Sequence, residues 1–329
     1  MTSTPHASPL AIGRAAWLAG VLGTALLASC GGATQSEPFV AKRLLAFGDE
    51  SSVIDDSGSS GNGRKYSVNA TVSATDPTLL CQAFPIWTQT LATFYGLVFK
   101  ECNPAGVPTP GAQSLAVPGA KVADVQTQVD AYLAANGSSF AAFDMATVLA
   151  GANDIVAAYK ALDAGKTEAE VTATVETAGR ALADQVNLLA DRGAKVLIST
   201  VPDMGLTPFA RAQALSRPGA AELLTKLSKA FNDKMRARVV NDGRRIGLIA
   251  TDELIQANVR FPARYGFTNV TDPVCSITAA NALPNCTALT LVTGGSATQY
   301  LWADDRHLSA GGQREFGALA LARARNNPF

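Results

Sequence analysis

A chain of 329 residues that is 47% hydrophobic and 16% charged has enough apolar side chain to bury a core as one large domain or two small ones. Lysine plus arginine and aspartate plus glutamate are both 27, so the formal charge is zero; no basic stripe or acidic tail points to nucleic acid or a polyanion. No solenoid or propeller repeat is visible, and the only low-complexity patch is the short Ser57 to Gly63 loop, so a single processed domain is the simplest organisation.

The chain begins with a polar segment containing Arg14, turns apolar from Ala15 to Ala28 and reaches Leu27-Ala28-Ser29-Cys30, the pattern of an export signal. The apolar run is too short for a membrane span. Leu27 to Cys30 resembles a bacterial lipobox, which implies removal of residues 1–29 and lipidation of Cys30. Residues 30–42 then read as a tether and residues 43–329 as the folded domain. The anchor would hold the protein firmly on a membrane without crossing it. The absence of Asp after Cys30 resembles sorting to the outer membrane of a Gram-negative host, so a periplasmic or cell-surface monomer is expected.

Leu44 to Gly48 reads as a buried strand that breaks into Asp49-Glu50-Ser51-Ser52. A long polar loop follows from Asp55 to Asn69, then a helix from Pro85 to Gly96 with Trp87, Phe94 and Tyr95 as core residues. Ser114 to Ala120 reads as a short strand opening onto a glycine turn, and Lys121 to Ala135 as a helix stopped by Asn136-Gly137. Phe143 to Ala150 is a strand ending in Gly151-Ala152-Asn153-Asp154. The helix Thr167 to Arg192, strand Ala194 to Val201, helix Ala220 to Asn241 and strand Ile246 to Thr251 continue the alternation. A cysteine-bearing insertion from Pro262 to Gly295 and a last helix from Ala310 to Arg325 complete it. Strands alternating with helices of this length predict an α/β fold with a mainly parallel sheet covered on both faces.

With Cys30 set aside, Cys81, Cys102, Cys275 and Cys286 form an even set in an exported chain, which predicts two disulfides. Of the three possible pairings, Cys81 with Cys102 and Cys275 with Cys286 close short loops beside proline-containing segments and are favoured. The spacings are not those of a zinc knuckle and one histidine remains after processing, so no metal is expected. That histidine is His307, because His6 lies in the removed segment. Asp304, three residues before it on a turn, can bond one ring nitrogen and leave the other free to take a proton.

Gly48-Asp49 after the first strand, Gly119 after the second, Gly151-Ala152-Asn153-Asp154 after the third and Asp304-Asp305-Arg306-His307 near the C-terminus resemble, in order, the four blocks of the GDSL, or SGNH, hydrolase family. The resemblance implies a flavodoxin-like three-layer α/β/α sandwich and hydrolysis of acyl esters, lipids or acetylated sugars without metal or cofactor. It implies a serine after the Gly-Asp pair, Gly119 and Asn153 as oxyanion donors, Asp304 as orienter and His307 as base. The first block departs from the pattern, because Glu50 stands in the serine's place and Ser51 falls one residue later. The expected nucleophile is Ser51, reached if the loop absorbs the extra residue, with Ser52 as the second candidate. The alternatives are an inactive surface lipoprotein that binds a glycan or lipid in the same cleft, and a carboxylate-based reaction.

Overall fold

The architecture of residues 39–58, 60–276 and 278–329, the residues described in this computed structural model, follows from apolar runs alternating with amphipathic helices. The export signal, Cys30 and the start of the tether lie outside the described residues. The strands are β1 (Arg43–Gly48), the short β2 (Ile54–Asp55) and β3 (Arg64–Lys65), β4 (Ala112–Ser114), β5 (Asp144–Leu149), β6 (Lys195–Ser199), β7 (Ile246–Ile249), β8 (Asn269–Pro273) and β9 (Tyr300–Trp302). The helices are α1 (Trp87–Phe94), α2 (Val122–Ala135), α3 (Ala152–Lys160), α4 (Glu168–Asp191), α5 (Pro208–Ala214), α6 (Ala220–Arg238), α7 (Thr251–Arg260) and α8 (Ala310–Asn326).

Five strands form one sheet in the order β4-β1-β5-β6-β7, and every neighbouring pair is parallel. Ranked by chain order this is 2-1-3-4-5, the flavodoxin-like doubly wound topology, so the predicted fold class is the observed one. The winding reverses between β1 and β5. The crevice outside the carboxyl ends of those two strands, at Gly48 and Leu149, is therefore where this topology places a site.

The two central strands are buried along nearly their whole length, which is why they are continuous apolar runs. Alternate residues serve opposite layers. Leu45 and Phe47 pack with α2, α4 and α6, whereas Leu44 and Ala46 pack with α1 and α8. On that second side Trp87 stacks on Phe316, ring centroids 4.7 Å apart. Phe94, expected in the core, is 47% exposed at the last residue of α1, where the Arg325 guanidinium of α8 lies 5.8 Å from its ring centroid.

The second strand is displaced from its expected range. It is Ala112–Ser114, and although Leu115 and Val117 still donate to the β1 carbonyls of Ala46 and Gly48, Pro118 has no N–H and Gly119 turns left-handed at φ +77°. Helices α3, α5 and α7 go beyond the expected elements; each is short and starts within a few residues of a strand or turn, leaving little periodicity to read. The loop after β1 holds the β2–β3 hairpin, and the insertion before β9 holds β8, which pairs with β9 in parallel.

Both expected disulfides are present, Cys81–Cys102 and Cys275–Cys286. Beside the first, Lys65 is fully buried, and its partners are carbonyls. Its Nζ donates to Cys81, Ala83 and Phe84 O at 2.9, 2.6 and 3.0 Å, fastening the hairpin to the chain that enters α1. Burial pushes the Lys65 amine down to about 7.

Candidate active site

The end of β1 is fixed by glycine and by one amide side chain. Gly48 has φ +137°, and a Cβ there would lie 1.9 Å from the Leu149 carbonyl oxygen, so only glycine lets β1 finish against β5. Gln128 of α2 brackets its peptide: Oε1 accepts from Gly48 N at 2.8 Å and Nε2 donates to Gly48 O at 2.9 Å. Asp49 then caps a single 3-10 turn, Glu50–Ser52, its Oδ1 accepting from Ser51 N at 3.0 Å.

That turn aims Glu50 into the crevice. Its Oε1 accepts from His307 Nε2 at 2.9 Å. Its Oε2 accepts from Gly119 N at 2.8 Å and from Asn153 Nδ2 at 2.9 Å. One carboxylate thus spans the histidine and both of the residues expected to donate to an oxyanion.

Asn153 is held by α3, whose start requires glycine. Gly151 has φ +125°, and a Cβ there would meet Phe231 Cζ at 2.4 Å and Val201 Cγ2 at 2.7 Å. Asn153 Nδ2 also donates to Ala120 O at 3.1 Å, which fixes its rotamer. Gly151→Ala is expected to destabilise the protein by about 1–3 kcal/mol through overpacking, with further backbone strain at positive φ. Chemical denaturation checks this; an unchanged midpoint would show that Phe231 yields without cost.

His307 sits on a turn that Trp302 and Leu308 close by an isolated bridge, with Ala303 N donating to His307 O at 2.7 Å. Asp304 organises that turn from within, its Oδ1 accepting from Arg306 N at 3.0 Å and His307 N at 2.7 Å. Its Oδ2 lies 2.7 Å from His307 Nδ1, which fixes the ring orientation. The edge of Tyr66 covers the imidazole at 6.3 Å between centroids.

The electrostatics follow from that enclosure. Burial disfavours an imidazolium, but the charge and hydrogen bond of Asp304, joined by those of Glu50, raise His307 to about 10. For Glu50, burial acts upward while the bond to His307 and its charge win, leaving the carboxyl well below the ordinary range. Burial and then the charge of Glu50 push Asp49 up to about 7. The two carboxylates thus favour the imidazolium form of His307. Asp304, Asp305 and His307 bring ligand atoms within 4.8 Å of one another, but both His307 nitrogens are already bonded to carboxylates, so these residues form an internal charge network.

Of the residues singled out in the sequence, Gly119, Asn153, Asp304 and His307 come together, and Ser51 stands apart from them. The amide of Ser51 faces Asp49, while Glu50 takes the place opposite His307. The reason is geometric. The 3-10 turn begins at Glu50 itself, so the loop does not absorb the extra residue. Ser52 is fully buried, its Oγ accepting from Trp87 Nε1 at 3.2 Å. Gln128 escapes sequence reasoning because a lone amide on a helix carries no signal.

The sequence profile of the GDSL-like Lipase/Acylhydrolase family matches residues 45–320. The chain belongs to that family. Members of the GDSL family are carboxylic ester hydrolases, and the match spans all four blocks that carry the site. No curated protein matches the chain by sequence. Among solved structures, the acetylxylan esterase Axe2 from Geobacillus stearothermophilus is similar at 12% identity and TM-score 0.42, over 88% of this chain and 96% of that one. A lipolytic GDSL-family protein from Veillonella parvula is similar at 11% identity and TM-score 0.39, over 85% and 96%. The acetyl xylan esterase AlAXEase is similar at 10% identity and TM-score 0.43, over 85% and 98%.

Proposed function

We propose that this GDSL-family chain is an exported, lipid-anchored hydrolase of carboxylic esters whose working cluster is Glu50, His307 and Asp304, with the Gly119 amide and the Asn153 carboxamide as oxyanion donors. The observation that carries this reading is the bridging carboxylate, Oε1 on His307 and Oε2 on both donors. In this reading Ser51 is not the group that His307 addresses. The place at His307 Nε2 is taken by Glu50 Oε1 at 2.9 Å.

The resting imidazolium suits the departure of an alcohol. Held between two carboxylates, His307 carries the proton that a leaving alkoxide needs, and once it has given that proton it is the base that a water molecule needs. Asp304 keeps the ring in place through both transfers. The anchor rests on Leu27 to Cys30, and the two disulfides suit an oxidising compartment.

Turnover of p-nitrophenyl esters by the purified mature protein tests the reading. Asn153→Ala is expected to lower kcat by about 10²–10³-fold, the usual effect of removing one oxyanion donor. His307→Ala should lower it by about 10²–10⁴-fold, the range of general acid–base catalysis. No turnover by the parent protein, or turnover indifferent to His307→Ala, would overturn the hydrolase reading.

One observation favours a second reading, a surface lipoprotein that holds a glycan or lipid without cleaving it. Both nitrogens of His307 are bonded to carboxylates and both oxyanion donors are filled by Glu50. Saturable binding of acetylated oligosaccharide or phospholipid, with no hydrolysis over hours, is its expected signature.

A further inference from the structure

We propose that Glu50 is the covalent nucleophile of this site, that Arg306 Nε assists formation of the glutamyl intermediate, and that Gly119 and Asn153 serve its breakdown. The inference rests on the ester-hydrolase reading and adds to it the identity of the attacking atom and the order in which the donors act.

The geometry distinguishes this role from two others. Hydrogen bonds weaken a carboxylate as base and as nucleophile alike, and Glu50 accepts three; as a general base, however, it would keep the Gly119 and Asn153 donors on its own Oε2 with no oxyanion for them to serve. A serine route needs the Ser51 hydroxyl at His307 Nε2, where Glu50 Oε1 stands at 2.9 Å. A nucleophilic carboxylate, by contrast, profits from this arrangement. When water attacks the carbonyl carbon of an acylated Glu50, negative charge develops on Oε2, and Oε2 is the atom already held by the Gly119 and Asn153 donors.

The first step then needs a different donor, because those two are occupied. Arg306 supplies one. Its Nε is buried, has no hydrogen-bond partner among the described residues, and lies 4.0 Å from both Glu50 Oε1 and Asp305 Oδ1, beyond bonding distance of either. A buried guanidinium N–H without a partner is costly unless something arrives to use it. The carbonyl oxygen of an ester presented to Oε1 is such a group.

The steps balance. Glu50 Oε1 attacks the acyl carbon of the ester, the carbon–oxygen bond to the alcohol breaks, and His307 gives its proton to the departing alkoxide. This leaves a mixed anhydride on Glu50 and a neutral imidazole. Water then adds to the Glu50 carbonyl carbon while His307 takes its proton. The tetrahedral centre collapses by expelling the acyl group as a carboxylate. Glu50 loses the remaining proton to solvent, and the resting imidazolium–carboxylate pair is restored. Water's oxygen stays on Glu50, and the released acid carries an oxygen that had belonged to the protein.

Repeated turnover of p-nitrophenyl acetate by the full mature protein in oxygen-18 water tests this directly. Mass spectrometry of the peptide containing Glu50 is expected to show that side chain heavier by one and then two oxygen-18 atoms. Asn153→Ala should slow breakdown about 10²–10³-fold and let an acyl adduct accumulate on Glu50. Arg306→Gln should reduce the pre-steady-state burst rate of p-nitrophenol and leave adduct breakdown unchanged. Circular dichroism of both variants excludes misfolding. Label confined to the released acid, or an adduct on Ser51, would overturn the inference while leaving the hydrolase reading intact; no turnover at all would overturn both.

Discussion

Glu50→Ser is expected to turn the site into a serine hydrolase that reacts stoichiometrically with a fluorophosphonate probe, which the parent protein should not do. Serine is two carbons shorter than the glutamate side chain and ends in a hydroxyl, so the substitution empties the space now filled by the carboxylate. That frees the Gly119 amide and the Asn153 side chain, now 2.8 and 2.9 Å from Glu50 Oε2, for a substrate oxyanion. Each freed donor is worth about 10²–10³ in rate on acyl esters once it meets the oxyanion of the substrate itself. The substitution also removes one of the two carboxylates that hold the proton on His307, returning the ring toward the neutral form that a base requires. Mass spectrometry of the labelled peptide, in wild-type and Ser51→Ala backgrounds, locates the label. An unlabelled Glu50→Ser protein with intact circular dichroism would show that the site differs from the family's in more than this one residue.

The second large effect is in the pH profile. A serine triad needs neutral histidine and gains activity as pH rises through the histidine value, whereas the Glu50 route starts from imidazolium. The parent kcat/KM is therefore expected to be level through neutrality and to fall as pH passes about 10, where His307 loses its proton. Glu50→Ser should reverse the sense of the curve, rising with pH. Stability carries the same signature. His307 is raised, so its contribution is fully present below the ordinary value of 6.5 and is lost as pH rises through about 10. Glu50 is lowered, so its contribution is present above the ordinary value of 4.5 and is lost as pH falls further. The cost of Glu50→Gln, measured by urea denaturation, should then be largest between about pH 4.5 and 6.5 and shrink on either side. A parent profile that rises through pH 7, with a pH-independent cost of Glu50→Gln, would remove the imidazolium from the resting enzyme.

Much of this site is legible in the chain because its groups are attached to short, rigid signals. Gly151 and Asn153 follow a strand with no room for a side chain at that turn, and Asp304 and His307 belong to one turn that builds itself from local hydrogen bonds. Both disulfide pairings are likewise a local matter. Gln128, Lys65 and Arg306 are not legible, since what matters about each is a partner, or the lack of one, supplied by distant parts of the chain.

The sequence by itself determined the α/β alternation, the four blocks in their order, and the displacement of serine by Glu50, because apolar periodicity and turn residues are properties of contiguous chain. Only the tertiary structure decided which side chain stands opposite His307. Whether Ser51 or Glu50 faces His307 depends on the direction in which one 3-10 turn leaves β1. That direction is set by contacts from elsewhere: the Leu149 carbonyl against Gly48, the Gln128 amide across its peptide, and the Gly119 and Asn153 donors that receive the Glu50 carboxylate.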